Sequence, residues 1–172
     1  MVRRAGQGGF TLLEALLGVA LLAILLAAVA AAMHAAMLSY NDNDRVAAVT
    51  QSARWALSRM MTEVRTADAV DCSSSQLSII PPDDGSGLQL IQYTCQNGVL
   101  SCSRKVNGVT TTYAMLGQAD NVAVQAFAVN KETAQRQGQT YTRSVTARLQ
   151  IAVGNEAISV TASTAPRRNQ DY

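Results

Sequence analysis

One acidic side chain, Glu14, stands near the start of a long run of apolar residues. From Ala15 to Met33 no side chain carries a charge or a strongly polar group, and the apolar run continues to Leu38 with one interruption at His34. A carboxylate near the centre of a bilayer costs on the order of 2.5–3.5 kcal/mol, and less near its edge. The first turn of a helix favours an anion, but an acid inside a membrane usually also has a partner. Glu14 is therefore the residue that most needs a functional explanation.

The other residues capable of chemistry are few and scattered. His34 is the single histidine, so no nucleophile–base–acid set can be assembled and no catalytic site is predicted. The cysteines, Cys72, Cys95 and Cys102, form no CxxC pair, and the net charge of +2 comes from scattered basic residues. The turn-rich loop 81–87 has two aspartates that could help bind calcium, but a solvated turn is favoured. The sequence predicts no enzyme, no resident metal, no cofactor, no small-molecule substrate and no direct nucleic-acid partner.

The apolar run is long enough to cross a bilayer and is apolar on every side. Arg3 and Arg4 precede it and the polar residues 41–44 follow it, which predicts a cytoplasmic N-terminus and a C-terminal part outside the inner membrane. A cleaved secretory signal is one alternative, but the run is too long for one and carries Glu14. A plain membrane anchor is another, and it leaves the stretch GGFTLLE unexplained.

The stretch Gly9-Phe10-Thr11-Leu12-Leu13-Glu14 resembles the processing site of type IV prepilins and type II secretion pseudopilins. The resemblance implies that residues 1–9 are a leader, that a prepilin peptidase cuts after Gly9, and that the enzyme methylates the new amine of Phe10. It also implies that Glu14, at the fifth mature position, pairs with the terminal amine of a neighbouring subunit. Residues 10–38 are then the transmembrane and assembly helix.

Residues 39–66 are predicted to continue this helix as an amphipathic segment. The polar residues from Ser39 to Asp44 indicate either a local break or a solvated part of the same helix. Beyond them, apolar residues recur at spacings of three and four and form one stripe, while Arg54, Arg59, Glu63 and Arg65 lie largely outside it. The stripe comprises Val46, Val49, Ala53, Leu57, Met60 and Val64. Trp55 and the methionines are interpreted as packing residues.

Residues 67–165 are predicted to form an antiparallel β domain, followed by a loose, solvated tail at 166–172. Asn97-Gly98 and Asn107-Gly108 separate apolar stretches and are strong hairpin signals, because both turn positions need a positive φ. The segment 130–140 is interpreted as a polar loop. The strand candidates are 76–81, 88–95, 99–106, 109–116, 122–129, 141–153 and 157–163. The fold class is α+β, with the long helix packed on an antiparallel sheet.

The cysteines fit an oxidising space, in which one disulfide is expected. A turn at Asn97-Gly98 places Cys95 opposite Leu100, whereas a turn at Gly98-Val99 places it opposite Cys102. The second arrangement is favoured slightly and predicts a Cys95–Cys102 disulfide. A bond from Cys72 to either of these cysteines remains an alternative.

The segment SARWALSRMMTEVRTADAV, residues 52–70, resembles the post-membrane helix of the larger minor pilins and minor pseudopilins of the J/W type. The hairpin around residues 91–104 and the strand pair near 121–153 resemble the same group more loosely. This resemblance implies a minor subunit that primes or caps a type IV pilus or a type II secretion pseudopilus. The implied partners are the prepilin peptidase, other pilin or pseudopilin subunits, the inner-membrane assembly platform and the lipid bilayer. The alternative is a membrane-anchored periplasmic binding or adhesion module that never polymerises.

Overall fold

The structure is a computed structural model, and it describes residues 11–118, 122–136 and 139–167. A long helix, α1 (Leu12–Thr66), precedes a series of antiparallel strands, which confirms the predicted α+β class. The strands are β1 (Ala69–Ser73), β2 (Gln76–Ile80), β3 (Leu88–Gln96), β4 (Val99–Val106), β5 (Val109–Leu116), β6 (Val122–Arg136), β7 (Gln139–Val153) and β8 (Glu156–Thr164). The chain divides into two compact units, Met1–Asp44 and Arg45–Tyr172.

Helix α1 includes both the apolar run and the amphipathic segment. The polar residues from Ser39 to Asp44 are helical, so they are the solvated part of α1 and do not break it. In the second unit, the apolar stripe faces the core as the spacing predicts. The buried residues of α1 are Ala53, Ala56, Leu57, Met60, Met61 and Val64. Val46 and Val49 pack against the same core while partly exposed.

The first sheet has the order β1-β2-β3-β4-β5, with each strand antiparallel to its neighbours. The two predicted Asn-Gly turns join its last three strands. Asn97 and Gly98 have φ values of 51° and 76°, and Asn107 and Gly108 have φ values of 49° and 83°. These positive φ values in both turn positions confirm the predicted hairpins. Strand β1 was not predicted from the sequence.

The second sheet has the order β6-β7-β8 and corrects the prediction of a polar loop at 130–140. Strands β6 and β7 pair from Val122 opposite Val153 to Arg136 opposite Gln139, so most of that segment is strand. Its polar side chains still reach solvent, because Glu132, Thr133 and Gln135 are exposed. A polar composition is compatible with a hairpin whose two faces both contact water.

Two groups of contacts connect β6 to the first sheet. The Val124 N–H donates to the carbonyl oxygen of Gly98 at 2.8 Å, and the Lys131 ammonium donates to the carbonyl oxygen of Val70 at 3.3 Å. Lys131 also pairs with the exposed carboxylate of Asp71 at 3.3 Å. Since Gly98 joins β3 to β4 and Val70 lies in β1, β6 crosses the first sheet from one side to the other. One hydrophobic core includes residues of α1 and of both sheets.

The residues after β8 correct part of the prediction of a solvated tail. Pro166 is fully buried, and the Arg167 N–H donates to the carbonyl oxygen of Arg65 at 2.9 Å. That carbonyl lies in the last turn of α1, where helical carbonyl oxygens have no intrahelical partner. The chain after β8 therefore caps the helix. Residues 168–172 lie outside the described residues.

Candidate assembly site

Thr11 caps the N-terminus of α1. Its hydroxyl oxygen accepts a hydrogen bond from the Glu14 N–H at 3.3 Å, and its carbonyl oxygen accepts from the Ala15 N–H at 3.2 Å. Thr11-Leu12-Leu13-Glu14 has the spacing of a capping box, in which a threonine and a glutamate lie three residues apart. This role of Thr11 was missed from the sequence, although the spacing alone indicates it. Thr11 thus helps to fix where the helix begins.

Glu14 lies in the first turn of α1 with its side chain exposed. Its carboxylate has no hydrogen-bond or ion-pair partner in the part of the chain that the structure describes. The positive end of the helix dipole stabilises an anion at this position, but supplies no specific partner. The sequence-predicted partner is the amine of Phe10, and the predicted cut follows Gly9. Both residues lie outside the described residues, so the pairing stays a prediction.

No described residue of the chain covers the apolar part of α1. Every residue from Leu12 to Asp44 is exposed, and none of the most apolar stretch is buried in the chain. The exposed large side chains include Leu12, Leu16, Leu21, Ile24, Leu25 and Val29. By length and composition, this helix is able to cross a membrane. An apolar surface of this extent requires lipid or other apolar helices around it.

A second group of functional side chains connects the end of α1 to the first sheet. The Tyr93 hydroxyl donates to Oε2 of Glu63 at 2.5 Å, and the Arg104 guanidinium donates to Oε1 of the same carboxylate. The Arg59 Nε also donates to Oε1, at 3.3 Å. Glu63 was predicted to lie largely outside the buried stripe, but its side chain is only 15% exposed. Its position beside the stripe brings it against the inward face of β3 and β4.

Arg59 lies between two aromatic rings and extends this group, which we call the Glu63 cluster (Trp55, Arg59, Glu63, Tyr93, Arg104 and Tyr113). Its guanidinium carbon lies 5.6 Å from the centroid of the Trp55 ring and 5.5 Å from that of the Tyr113 ring. These distances fit cation–π contacts. Trp55, interpreted from the sequence as a packing residue, is 60% exposed and contacts Arg59 outside the buried core. Met60 and Met61 are buried as predicted, whereas Met33 and Met37 are exposed.

The electrostatics of the Glu63 cluster keep its hydroxyl groups protonated. Burial raises the pKa of Tyr93, and the hydrogen bond to Glu63 and the negative charge of that residue raise it further. Burial also raises the pKa of Tyr113, as does the neighbouring Cys102 thiol. Burial alone would lower the pKa of Arg104, but the Glu63 carboxylate raises it above its usual value. The cluster is therefore an ion pair supported by neutral phenols, and it fixes α1 to the sheet.

The cysteines correct the prediction of a Cys95–Cys102 disulfide. The turn is at Asn97-Gly98, so Cys95 pairs with Leu100, while Cys102 pairs with Tyr93. All three cysteines are free: Cys102 is buried, and Cys95 and Cys72 are half-buried. Burial raises the pKa of both half-buried thiols. Asn97 accommodates a positive φ, so the Asn-Gly turn is formed and the alternative register is not.

The acidic loop at 81–87 satisfies its own backbone. The Asp83 carboxylate accepts from the Gly85 N–H at 3.2 Å, and the Asp84 carboxylate accepts from the Ser86 N–H at 2.9 Å. These are the local bonds of turn-forming aspartates. Within the described ranges, no three His, Cys, Asp or Glu side chains are grouped as metal ligands would be.

Comparison with known proteins finds one match. The family model of the prokaryotic N-terminal methylation motif matches residues 4–30. This range covers the proposed cleavage site, Glu14 and the first half of the apolar run. The match supports the type IV pilin and pseudopilin class, a pilin-like precursor that is a substrate for processing, and membrane anchoring by the helix. No curated protein and no solved structure matches the chain.

Proposed function

We propose that this chain is a minor pilin or minor pseudopilin subunit of the J/W-like group. Prepilin peptidase cuts it after Gly9 and methylates Phe10. The mature chain is held in the inner membrane by α1, with its N-terminus cytoplasmic and its β domain periplasmic. From there it enters a type IV pilus or a type II secretion pseudopilus through its helix, and primes or caps that filament together with the inner-membrane assembly platform.

The observation that carries this proposal is the coincidence of three features in one segment. The methylation motif at 4–30 overlaps the start of α1, where neither the Glu14 carboxylate nor the apolar surface is covered by any described residue. An inert anchor needs only the apolar surface. A helix that leaves lipid and packs among other helices also needs a polar group that fixes its register, and a charged group paired in an apolar environment can do this.

The first test is the mass of the mature chain isolated from membranes. We expect a chain that begins at Phe10 and carries one added methyl group on its amine. An intact Met1 would contradict processing and support the membrane-anchored module that does not polymerise. A start near Met33 would indicate a cleaved secretory signal and a secreted module.

The second test substitutes Glu14 in the full chain. We expect Glu14→Val and Glu14→Gln to insert into the membrane normally but to reduce the recovery in sheared filaments at least about tenfold, since an unpaired terminal amine is left in an apolar bundle. Glu14→Asp keeps the charge and should retain a substantial part of the recovery. Glu132→Val, at an exposed position in β6, serves as a control and should assemble normally. Normal assembly of Glu14→Val would contradict the charge-pairing mechanism.

A further inference from the structure

An open groove with a volume of about 410 Å³ runs between α1 and β8. Its helix side includes Arg54, Ser58, Thr62 and Arg65, which recur at spacings of four, four and three and so lie on one face of the helix. Its strand side is the segment 160–164. All of these residues belong to the unit Arg45–Tyr172, so the groove is a feature of the β domain with its own part of the helix.

Strand β8 is an edge strand. It pairs with β7 alone and is the last strand of the second sheet. Among the residues that the structure describes, no backbone group beyond β7 is bonded to β8. An edge of this kind presents a row of free N–H and C=O groups to which an extended segment can add as a further strand.

The groove also carries uncompensated positive charge. Arg54 and Arg65 make no ion pair with any described residue, whereas Arg59 and Arg104 share Glu63, and Lys131 pairs with Asp71. The strand segment 160–164 has no charged side chain. An occupant that supplies carboxylates near the two ends of the helix face would therefore complement the charge of the groove.

We propose that the groove binds an extended acidic segment of a neighbouring, different subunit, which adds a strand to β8 and places carboxylates beside Arg54 and Arg65. This inference rests on the proposed function, because that function supplies the neighbouring subunit. The acidic loop 81–87 of a second copy of this chain is a poor donor, because it begins with Pro81 and Pro82 and proline removes the N–H groups that a strand needs. The carboxylates of that loop already accept bonds from its own backbone.

The test places the photo-crosslinking residue p-benzoylphenylalanine at Ser58 of the full chain, and in a second variant at Thr161, in cells that produce the filament. Thr112, an exposed residue of β5, is the control position. Mass spectrometry identifies the crosslinked peptide. We expect both groove positions, and not the control, to crosslink to a peptide of another subunit that contains Asp or Glu in an extended stretch.

Charge reversal tests the role of the arginines. In the Ser58 crosslinking variant, we expect Arg54→Glu with Arg65→Glu to lower the crosslink yield about fivefold or more, because a like charge at the rim opposes binding. Arg45→Glu, an exposed position of the same helix outside the groove, should leave the yield unchanged. An unchanged yield in the double variant would overturn the proposal.

Other outcomes separate this proposal from the proposed function. A crosslink only to a second copy, only to residues 168–172 of the same chain, or to nothing would overturn the groove proposal while N-terminal processing and filament entry remain intact. An intact Met1 on the chain isolated from membranes would overturn the proposed function and not the binding of an acidic segment in the groove. A persistent crosslink from Ser58 to an acidic segment in chains that never enter a filament would sustain the groove and overturn the proposed function.

Discussion

At the scale of single residues, Glu63 is the group on which the contact between α1 and the first sheet depends. Its carboxylate accepts hydrogen bonds from Tyr93, Arg104 and Arg59, and it is largely shielded from water. Breaking such a pair by removing one charge leaves the other charge without its partner, which costs more than the pair itself contributes. The two arginines are partly exposed, so water compensates some of that loss.

We expect Glu63→Gln to lower the free energy of unfolding by about 2 kcal/mol, because the amide cannot pair with two guanidinium groups. Urea unfolding of the full chain in detergent micelles measures this, followed by the fluorescence of Trp55, the single tryptophan. The control is Glu132→Gln, since Glu132 is exposed and, among the described residues, accepts only from the Ser144 hydroxyl. Equal effects of the two substitutions would show that the Glu63 cluster does not fix the helix.

The raised pKa of Tyr93 predicts how the free energy of unfolding changes at high pH. Its pKa in the folded chain is raised by burial and by Glu63, whereas an unfolded tyrosine ionises near pH 10. The folded chain therefore holds this proton more tightly than the unfolded chain. The contribution of Tyr93 to stability is complete below about pH 10 and is lost as the pH rises above that value. The raised pKa values of the Cys72 and Cys95 thiols act in the same direction from about pH 9.

We expect Tyr93→Phe to cost about 1.5–3 kcal/mol at pH 8, the usual effect of losing a hydrogen bond to a charged group. Between pH 9.5 and pH 11 the variant should lose less stability than the native chain, since it has no proton to release at this site. Urea unfolding at a series of pH values measures both effects. Tyr40→Phe, at an exposed position of α1, is the control. Identical slopes for the native chain and Tyr93→Phe would contradict the linkage.

At the scale of elements, local signals predicted the hairpins but not their contacts. Asn97-Gly98 and Asn107-Gly108 indicated both turns, because few residue pairs accept two positive φ values. Strand β1 was missed because it is short and largely polar at its exposed positions. The paired ends of β6 and β7 were missed because polar residues with water on both faces lack the alternation that reveals a strand.

The sequence predicted Glu14 in the candidate site but not the contacts of Glu63, because only local signals can be recognised in a sequence. Glu14 was identified because an acid is conspicuous in an apolar run, and that signal is local. Glu63 was assigned outside the buried stripe because helical periodicity shows which face is apolar, but not that Tyr93 and Arg104 lie opposite it. Those contacts join residues 30 and 41 positions apart in the chain. The wrong disulfide came from the same limit, since the register depended on which of two turns formed.

Glycines allow a test of how closely the end of β5 approaches the turn between β3 and β4. Gly117 and Gly108 both have positive φ values, of 92° and 83°. A Cβ at Gly117 would overlap the carbonyl oxygen of Gly98, whereas a Cβ at Gly108 would meet open space. We expect Gly108→Ala to cost about 1–2 kcal/mol from the backbone conformation alone. Gly117→Ala should cost about 1–3 kcal/mol more from the overlap. Urea unfolding of both variants measures the difference, and equal costs would show that β3, β4 and the end of β5 separate easily.

At the scale of the whole molecule, the two units have opposite requirements. Residues 45–172 form a core from α1 and both sheets, so this unit buries its own apolar side chains. The described residues before Arg45 bury none of theirs. Stability of the first unit must therefore come from lipid or from other helices, whereas the second unit should fold in water without them.

This difference predicts the behaviour of two truncated chains. A fragment 45–172 should be soluble without detergent and unfold cooperatively in urea, because its core is complete. A fragment 67–172 should fail to fold, because it loses the buried apolar residues of α1 and leaves Tyr93 and Arg104 without Glu63. Circular dichroism and urea titration distinguish the two. Aggregation of fragment 45–172 would show that its core needs the apolar part of the helix. Cooperative folding of fragment 67–172 would show that the sheets fold without α1. Cooperative unfolding of the first fragment alone would show that the β domain and residues 45–66 of α1 together form one independently folding unit.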